Sequence, residues 1–234
     1  TSINDINVVA YVNDSRNDER RWGDYDGNSF NDIEVAMTEN KSEETGAGLE
    51  ISSDNGGPLS WIVGLNYFDQ EVNYDFDLRI GAIGGGNVPA STGWGTYNLD
   101  TYGIFASFDY EMSDKWTLTV GGRYTNEEKD VHWRASSYPE YAQNERLTLA
   151  AALLPNKAAE EWSSFDPKVT LTYNLENNGI IYATYATGFK SGGYNAPTRQ
   201  GGEVLEPEEI MMIELGYKAD LTDTLRITSS FFMY

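Results

Sequence analysis

The sequence predicts an all-β chain, an antiparallel transmembrane β-barrel segment of about nine strands. Three observations carry this. Apolar residues recur with period two, tight turns alternate strictly with long connections, and no apolar run reaches the roughly 18–20 residues that a spanning helix needs. The longest candidate, LTLAAALLP at 147–155, is too short and ends in Pro155.

Taken in chain order, a lone strand is expected near 4–12, followed by a long connection over 13–42. A hairpin of 43–53 with 59–72 turns at DNGGP (54–58) and sets Trp61, Val63, Leu65 and Tyr67 on one face. After a loop over 73–98, a second hairpin pairs 99–111 with 116–130 around SDK (113–115). Here Tyr102, Ile104, Ala106, Phe108 and Tyr110 oppose Gly103, Ser107 and Asp109, and Trp116, Leu118, Val120 and Tyr124 oppose Thr117, Thr119, Gly121 and Arg123. A loop over 131–162 leads to the hairpin 163–175 with 180–190 around ENNG (176–179), where Val169, Leu171, Tyr173 and Leu175 share a face. A connection over 191–207 leads to 208–220 with 225–234 around TDT (222–224), where Met211, Ile213, Leu215 and Tyr217 do the same. All four turns use residues that tolerate turn geometry.

A soluble sandwich has little reason to gather its tight turns at one end and its long loops at the other, whereas a membrane barrel has short periplasmic turns and long extracellular loops. In hydrocarbon, only a closed sheet satisfies every strand amide. Trp61, Trp116 and Tyr173 near the turns, and Tyr67, Tyr124 and Tyr185 nearer the loops, fit two interfacial aromatic girdles. A mean hydropathy of −0.51 is compatible with this, because alternation hides the lipid-facing half from averaging.

Composition narrows the chemistry. With 37 acidic against 16 basic residues the formal charge is −21, which repels a phosphate backbone and argues against nucleic acid. There is no cysteine and one histidine, His132, so neither a disulfide framework nor a Cys- or His-ligated metal centre is expected. DYDGNSFND at 24–32 spaces Asp24, Asp26, Asn28 and Asp32 as oxygen ligands, but Ser29 stands where a calcium loop needs glycine, and the stretch reads as a solvated acidic loop. GAIGGGN at 81–87 lacks the phosphate-cradling order and reads as a flexible loop. Glu127 with Glu128 and Glu160 with Glu161 are neighbours that point apart on a strand, and no serine sits on a nucleophile elbow; no enzyme, catalytic residue, cofactor or resident metal is expected.

At 180–197, IIYATYATGFKSGGYNAP, followed by LEPEEIMMIELGYKADL at 205–221, resembles the barrel of TonB-dependent outer-membrane receptors. The matching residues are Tyr182, Ala183, Tyr185, Gly188, Phe189, Lys190, Ser191, Gly192 and Gly193, then Pro207, Glu208, Glu214, Gly216 and Lys218. The segments 99–130 and 48–71 look like the preceding hairpins of that family. The resemblance implies part of a barrel of about 22 strands, with residues 1–234 a partial barrel domain and the plug domain outside it. It implies a receptor in the Gram-negative outer membrane that takes up a scarce nutrient such as a ferric siderophore, energised by the TonB complex through the plug. The rivals are a passive porin-type channel and a secreted soluble β-sheet carbohydrate-binding protein. Counting back from Tyr234 by twos gives Phe232, Ser230, Thr228 and Arg226, which is not the apolar run that ends a natural barrel.

By phase, Arg123, Lys168, Glu214 and Lys218 face the lumen, either lining the path or holding register. In the GFKSGGYN segment, Phe189, Lys190, Tyr194 and Asn195 either face an entering ligand or serve a bend. Trp94, Tyr97, Tyr138 and Tyr141 offer stacking surfaces in the loops.

Overall fold

A computed structural model describes residues 2–3, 6–24, 33–53, 56–82, 86–137, 157–176, 179–195, 203–222 and 224–234. Asp26, Asn28, Asp32, Tyr138 and Tyr141 lie outside them. The described residues form β1 (Ser2–Ile3), β2 (Ile6–Asp24), β3 (Ile33–Ser53), β4 (Leu59–Ala82), β5 (Gly86–Ser113), β6 (Trp116–Ser137), β7 (Lys157–Asn174), β8 (Ile180–Lys190), β9 (Gly193–Asn195), β10 (Glu203–Leu205), β11 (Glu208–Thr222) and β12 (Leu225–Met233). One antiparallel meander runs in the order β1-β2-β3-β4-β5-β6-β7-β8-β11-β12, in which β1 is a two-residue stub, so nine strands build the wall. Strands β9 and β10 form a separate ribbon inserted between β8 and β11. The wall stays open: β12 does not pair with β1 or β2.

Register shows why the period-two sequence folds this way. Trp61, Phe108, Val120, Val169, Tyr185, Ile213 and Met233 stand in one cross-strand line. One step along each strand, Ser60, Asp109, Thr119, Thr170, Thr184 and Glu214 form the opposite line. A one-residue slip would exchange the two faces, so the pattern fixes the pairing. The apolar row is not packed under a second layer: Val120 is 44% exposed and Leu215 54%. On this face Trp116 meets Tyr173 at 4.7 Å with the rings tilted by 53° near the turns, and Tyr102 meets Tyr124 at 6.4 Å nearer the loops.

The structure differs from the sequence reading in strand length. Much of the connections read as 13–42 and 73–98 is paired strand, with β4 reaching Ala82 and β5 beginning at Gly86. Over 13–32 both alternate positions are largely polar, which hides the pairing, whereas at 72–80 the alternation persists with Val72, Tyr74, Phe76, Leu78 and Ile80 against Asn73, Asp75, Asp77 and Arg79, its apolar set having moved to the phase opposite Trp61–Tyr67. The count back from Tyr234 also selects the wrong row. In register with Ala219, Tyr217, Leu215 and Ile213 stand Ile227, Ser229, Phe231 and Met233, which is the apolar face of β12.

One ladder stops early. Strand β7 pairs with β6 up to Lys157, but with β8 only from Asn174 to Lys168. The stop coincides with Pro167, which has no N–H to offer. Beyond it, β8 pairs with β11 alone, up to Lys190 opposite Glu208.

Candidate functional site

The polar face holds the candidate site, and its turn-side half is braced by side chains that cross strands. Arg123 donates from Nε to Thr125 Oγ1 at 3.0 Å and from Nη2 to Asn66 Oδ1 at 2.8 Å. To reach β4 it passes over Gly103 of β5, where an added Cβ would lie 2.3 Å from the guanidinium. Tyr182 is held in the same manner by three residues of β11. Its hydroxyl donates to Glu214 Oε1 at 2.7 Å, its ring lies over Gly216, and Lys218 Nζ sits 5.2 Å from the ring centroid. A Cβ at Gly216 would come within 2.1 Å of that ring. Of the four charged residues assigned to the lumen, Arg123, Glu214 and Lys218 therefore have bracing partners, and Lys168, in the same phase, is exposed.

Toward the loops, the chain leaving β8 folds onto the polar face of its neighbours. Lys129 on β6 donates to Ser191 Oγ at 2.5 Å and to the Gly192 carbonyl at 2.7 Å. Its ammonium also lies 3.4 Å from Glu127 and 5.5 Å from the Trp162 ring centroid. Ser191 donates to the Glu127 carboxylate, and Tyr194 donates to the Lys129 carbonyl at 3.2 Å. Tyr194 meets Trp162 edge-on at 6.1 Å. This strap crosses β7 to latch on β6, and the Lys129 side chain is only 12% exposed beneath it. Burial, with the carboxylates of Glu160 and Asp130 nearby, pushes the Tyr194 phenol up to about 12.

Farther up, Tyr74, Gly95 and Trp133 stand in register across β4, β5 and β6. The Tyr74 hydroxyl and the Trp133 indole N–H are both buried without a hydrogen-bond partner. Trp133 and Val131 are each 1% exposed, the most enclosed apolar side chains of the described residues. Burial pushes the Tyr74 phenol up to about 12. Among the described residues, no cluster of His, Cys, Asp or Glu could hold a metal ion.

Of the eight residues proposed to meet a ligand, six lie among the described residues, and this geometry divides them. Tyr97, half-buried, lies in β5 rather than in a loop, in the polar-face phase beside Val131; burial and Glu127 raise its phenol. Tyr194 belongs to the strap, Asn195 pairs with Glu203 in the ribbon, and Lys190 donates to Glu208 at 2.8 Å. Trp94, opposite Asp75 and Arg134, and Phe189, opposite Glu209, fall in the apolar-face phase and point away from the others. Lys129, Glu127 and Trp162 were missed by sequence reasoning. Extending the Arg123 phase upward through 125, 127 and 129 would have found the first two.

A family model described as TonB dependent receptor-like, beta-barrel matches residues 2–234. A protein of Acinetobacter baumannii described as a probable TonB-dependent siderophore receptor, PiuA, is 25% identical over 142 residues, which is 57% of this chain and 17% of that protein. Among solved structures, the ferric yersiniabactin uptake receptor FyuA from Yersinia pestis superposes with a TM-score of 0.76 at 13% identity, covering 97% of this chain and 32% of that one. The A. baumannii siderophore receptor PiuA gives 0.65 at 18% identity, covering 97% and 37%, and its ferric preacinetobactin receptor BauA 0.61 at 17%, covering 98% and 35%. At these identities the superpositions show the fold, and the chain spans little more than a third of those proteins at most.

Proposed function

Since the chain belongs to the TonB dependent receptor-like β-barrel family, we propose that it supplies part of the wall of a Gram-negative outer-membrane receptor that takes up a scarce nutrient, a ferric siderophore being the leading class. Ligand is captured on the loop side, and release inward is energised by TonB through a plug domain. Its task is transport, without covalent chemistry.

The observation that carries the reading is the exposed apolar face between two aromatic pairs. The eight steps from Trp116 to Tyr124 make about 27 Å of strand, or about 21 Å of height at a tilt of about 40°, near the roughly 25 Å apolar band of outer-membrane barrels. Contiguous apolar surface left in water costs about 25 cal/mol per Å², so a face this large calls for lipid cover. On the inward face, Tyr97, Tyr194 and Lys190 are the sequence-predicted residues best placed for a ligand. The unpartnered Tyr74 hydroxyl and Trp133 N–H would suit a ligand's acceptor oxygens. A plug and a ligand in the lumen would meet the braced row of Arg123, Lys168, Glu214 and Lys218.

The test is uptake of radiolabelled iron by cells that carry the full-length receptor gene and by deletion cells, under iron limitation, with a panel of ferric siderophores. Uptake that needs both the receptor and TonB is expected. Uptake persisting without TonB would instead indicate a passive channel.

A further inference from the structure

Where β7 and β8 part company, the wall opens into a cleft on its apolar face. Above Lys168 and Ala186 no ladder joins the two strands, and a side-chain bond from Thr187 Oγ1 to Asp166 Oδ1 at 3.2 Å spans the gap. The gap begins at Pro167, and past Lys190 the chain swings onto the polar face to reach Lys129, so β8 does not return to β7. The space left has a volume of about 510 Å³, within the roughly 300–1,000 Å³ of small-molecule sites. Phe165, Pro167, Tyr185 and Met211 wall it with Glu209, all in the apolar-face phase, whereas Asp166, opposite Arg123, belongs to the polar-face phase and meets the gap through Thr187. Phe165 lies opposite Tyr124 of the loop-side aromatic pair, so the cleft opens at the level where acyl chains give way to headgroups.

We propose that this cleft binds one glycolipid, its acyl chain against Phe165, Pro167, Tyr185 and Met211 and a sugar hydroxyl donating to Glu209. The apolar walls suit a chain that bilayer lipid would otherwise solvate, and the broken ladder gives it depth that a flat barrel wall lacks. Charge selects the headgroup. Above the aromatic row the same face carries exposed Glu71, Asp100, Glu128 and Glu161. An anionic phosphate is disfavoured there, whereas hydroxyl donors give charge-assisted hydrogen bonds to carboxylates.

The inference rests on the membrane reading above, and one experiment separates the two. The intact receptor is purified in detergent, delipidated, and titrated with glucosyl-diacylglycerol or phosphatidylglycerol of matched chains; lipid retention is read by native mass spectrometry. One glucosyl lipid should stay bound, about tenfold more tightly than phosphatidylglycerol, which is the difference one hydrogen bond to a charged group makes. Thr187→Trp, which fills the cleft, should abolish retention. Glu209→Gln, which leaves its shape intact, should erase the preference. Equal retention of both lipids, or retention unchanged in both variants, overturns the glycolipid site while leaving the transport reading intact. A receptor that stays in solution without detergent overturns the membrane reading itself.

Discussion

Replacing Lys129 by Met tests the latch directly, because Met keeps most of the stem that packs on Trp162 and loses only the ammonium. The wild-type ammonium donates to Ser191 Oγ and the Gly192 carbonyl and faces Glu127. Hydrogen bonds to charged groups are worth about 1.5–3 kcal/mol each, and water competes weakly for a side chain only 12% exposed. Taking the lower value for two bonds gives a loss of about 3 kcal/mol. Because every 1.4 kcal/mol or so is tenfold, the strap should open about a hundredfold more often. Amide hydrogen exchange at Gly192, Gly193 and Tyr194 reads this opening, with the amides of β6 near Leu118 as the internal reference. In Ser191→Ala, the same substitution should cost less, since one acceptor is already gone. Exchange at the strap that rises less than about threefold, under 0.7 kcal/mol or so, would show that the latch does not hold the segment.

Three further outcomes follow from the fold. On the apolar face, Val120→Arg, midway between the aromatic pairs, should cost roughly 2–4 kcal/mol at the bilayer midplane, while Thr119→Arg on the polar face costs much less; heat-modifiable gel migration of the reconstituted receptor ranks the two, and equal tolerance refutes the facing. Gly216→Val drives a Cβ into the Tyr182 ring and should destabilise by about 1–3 kcal/mol; Tyr182→Ala in the same chain should recover part of that by the same gel assay. Burial first, then Asp100 and Glu71, raises the Asp69 carboxyl above its ordinary value. A raised carboxyl weakens the folded state once ionised, so Asp69→Asn should raise the melting temperature at neutral pH. The gain should fade as pH falls through the folded value, and vanish below the unfolded value of about 3.9.

The hairpin ends were legible because turn chemistry is local: SDK ends β5 at Ser113 and starts β6 at Trp116. Strand phase was equally legible between the aromatic pairs, where lipid-side and lumen-side residues differ in kind, and it separated Leu118 from Thr119 correctly. It failed above them. Asn98 and Tyr97 read as loop residues although both are laddered on two sides, because a strand with polar groups on each face has no hydropathy signature. Glu127 and Glu128 were rightly expected to diverge, yet nothing local revealed that Glu127 would meet Ser191, which is 64 residues away. The strap motif was visible as a string of glycines and aromatics, while its landing place depends on long-range register that one sequence does not encode locally.

The length of the laddered strands bears on how such a wall survives outside a cell. From Tyr102, β5 runs on to Gly86 with β4 paired to it throughout, and β6 follows as far as Ser137. An endoprotease must draw its substrate into an extended groove, and a backbone already engaged by two neighbours has to be peeled free first. Digestive attack from the medium should therefore spare Tyr97, Val131 and their surroundings, and the aromatic lining would outlast nicks made beyond the reach of the ladder.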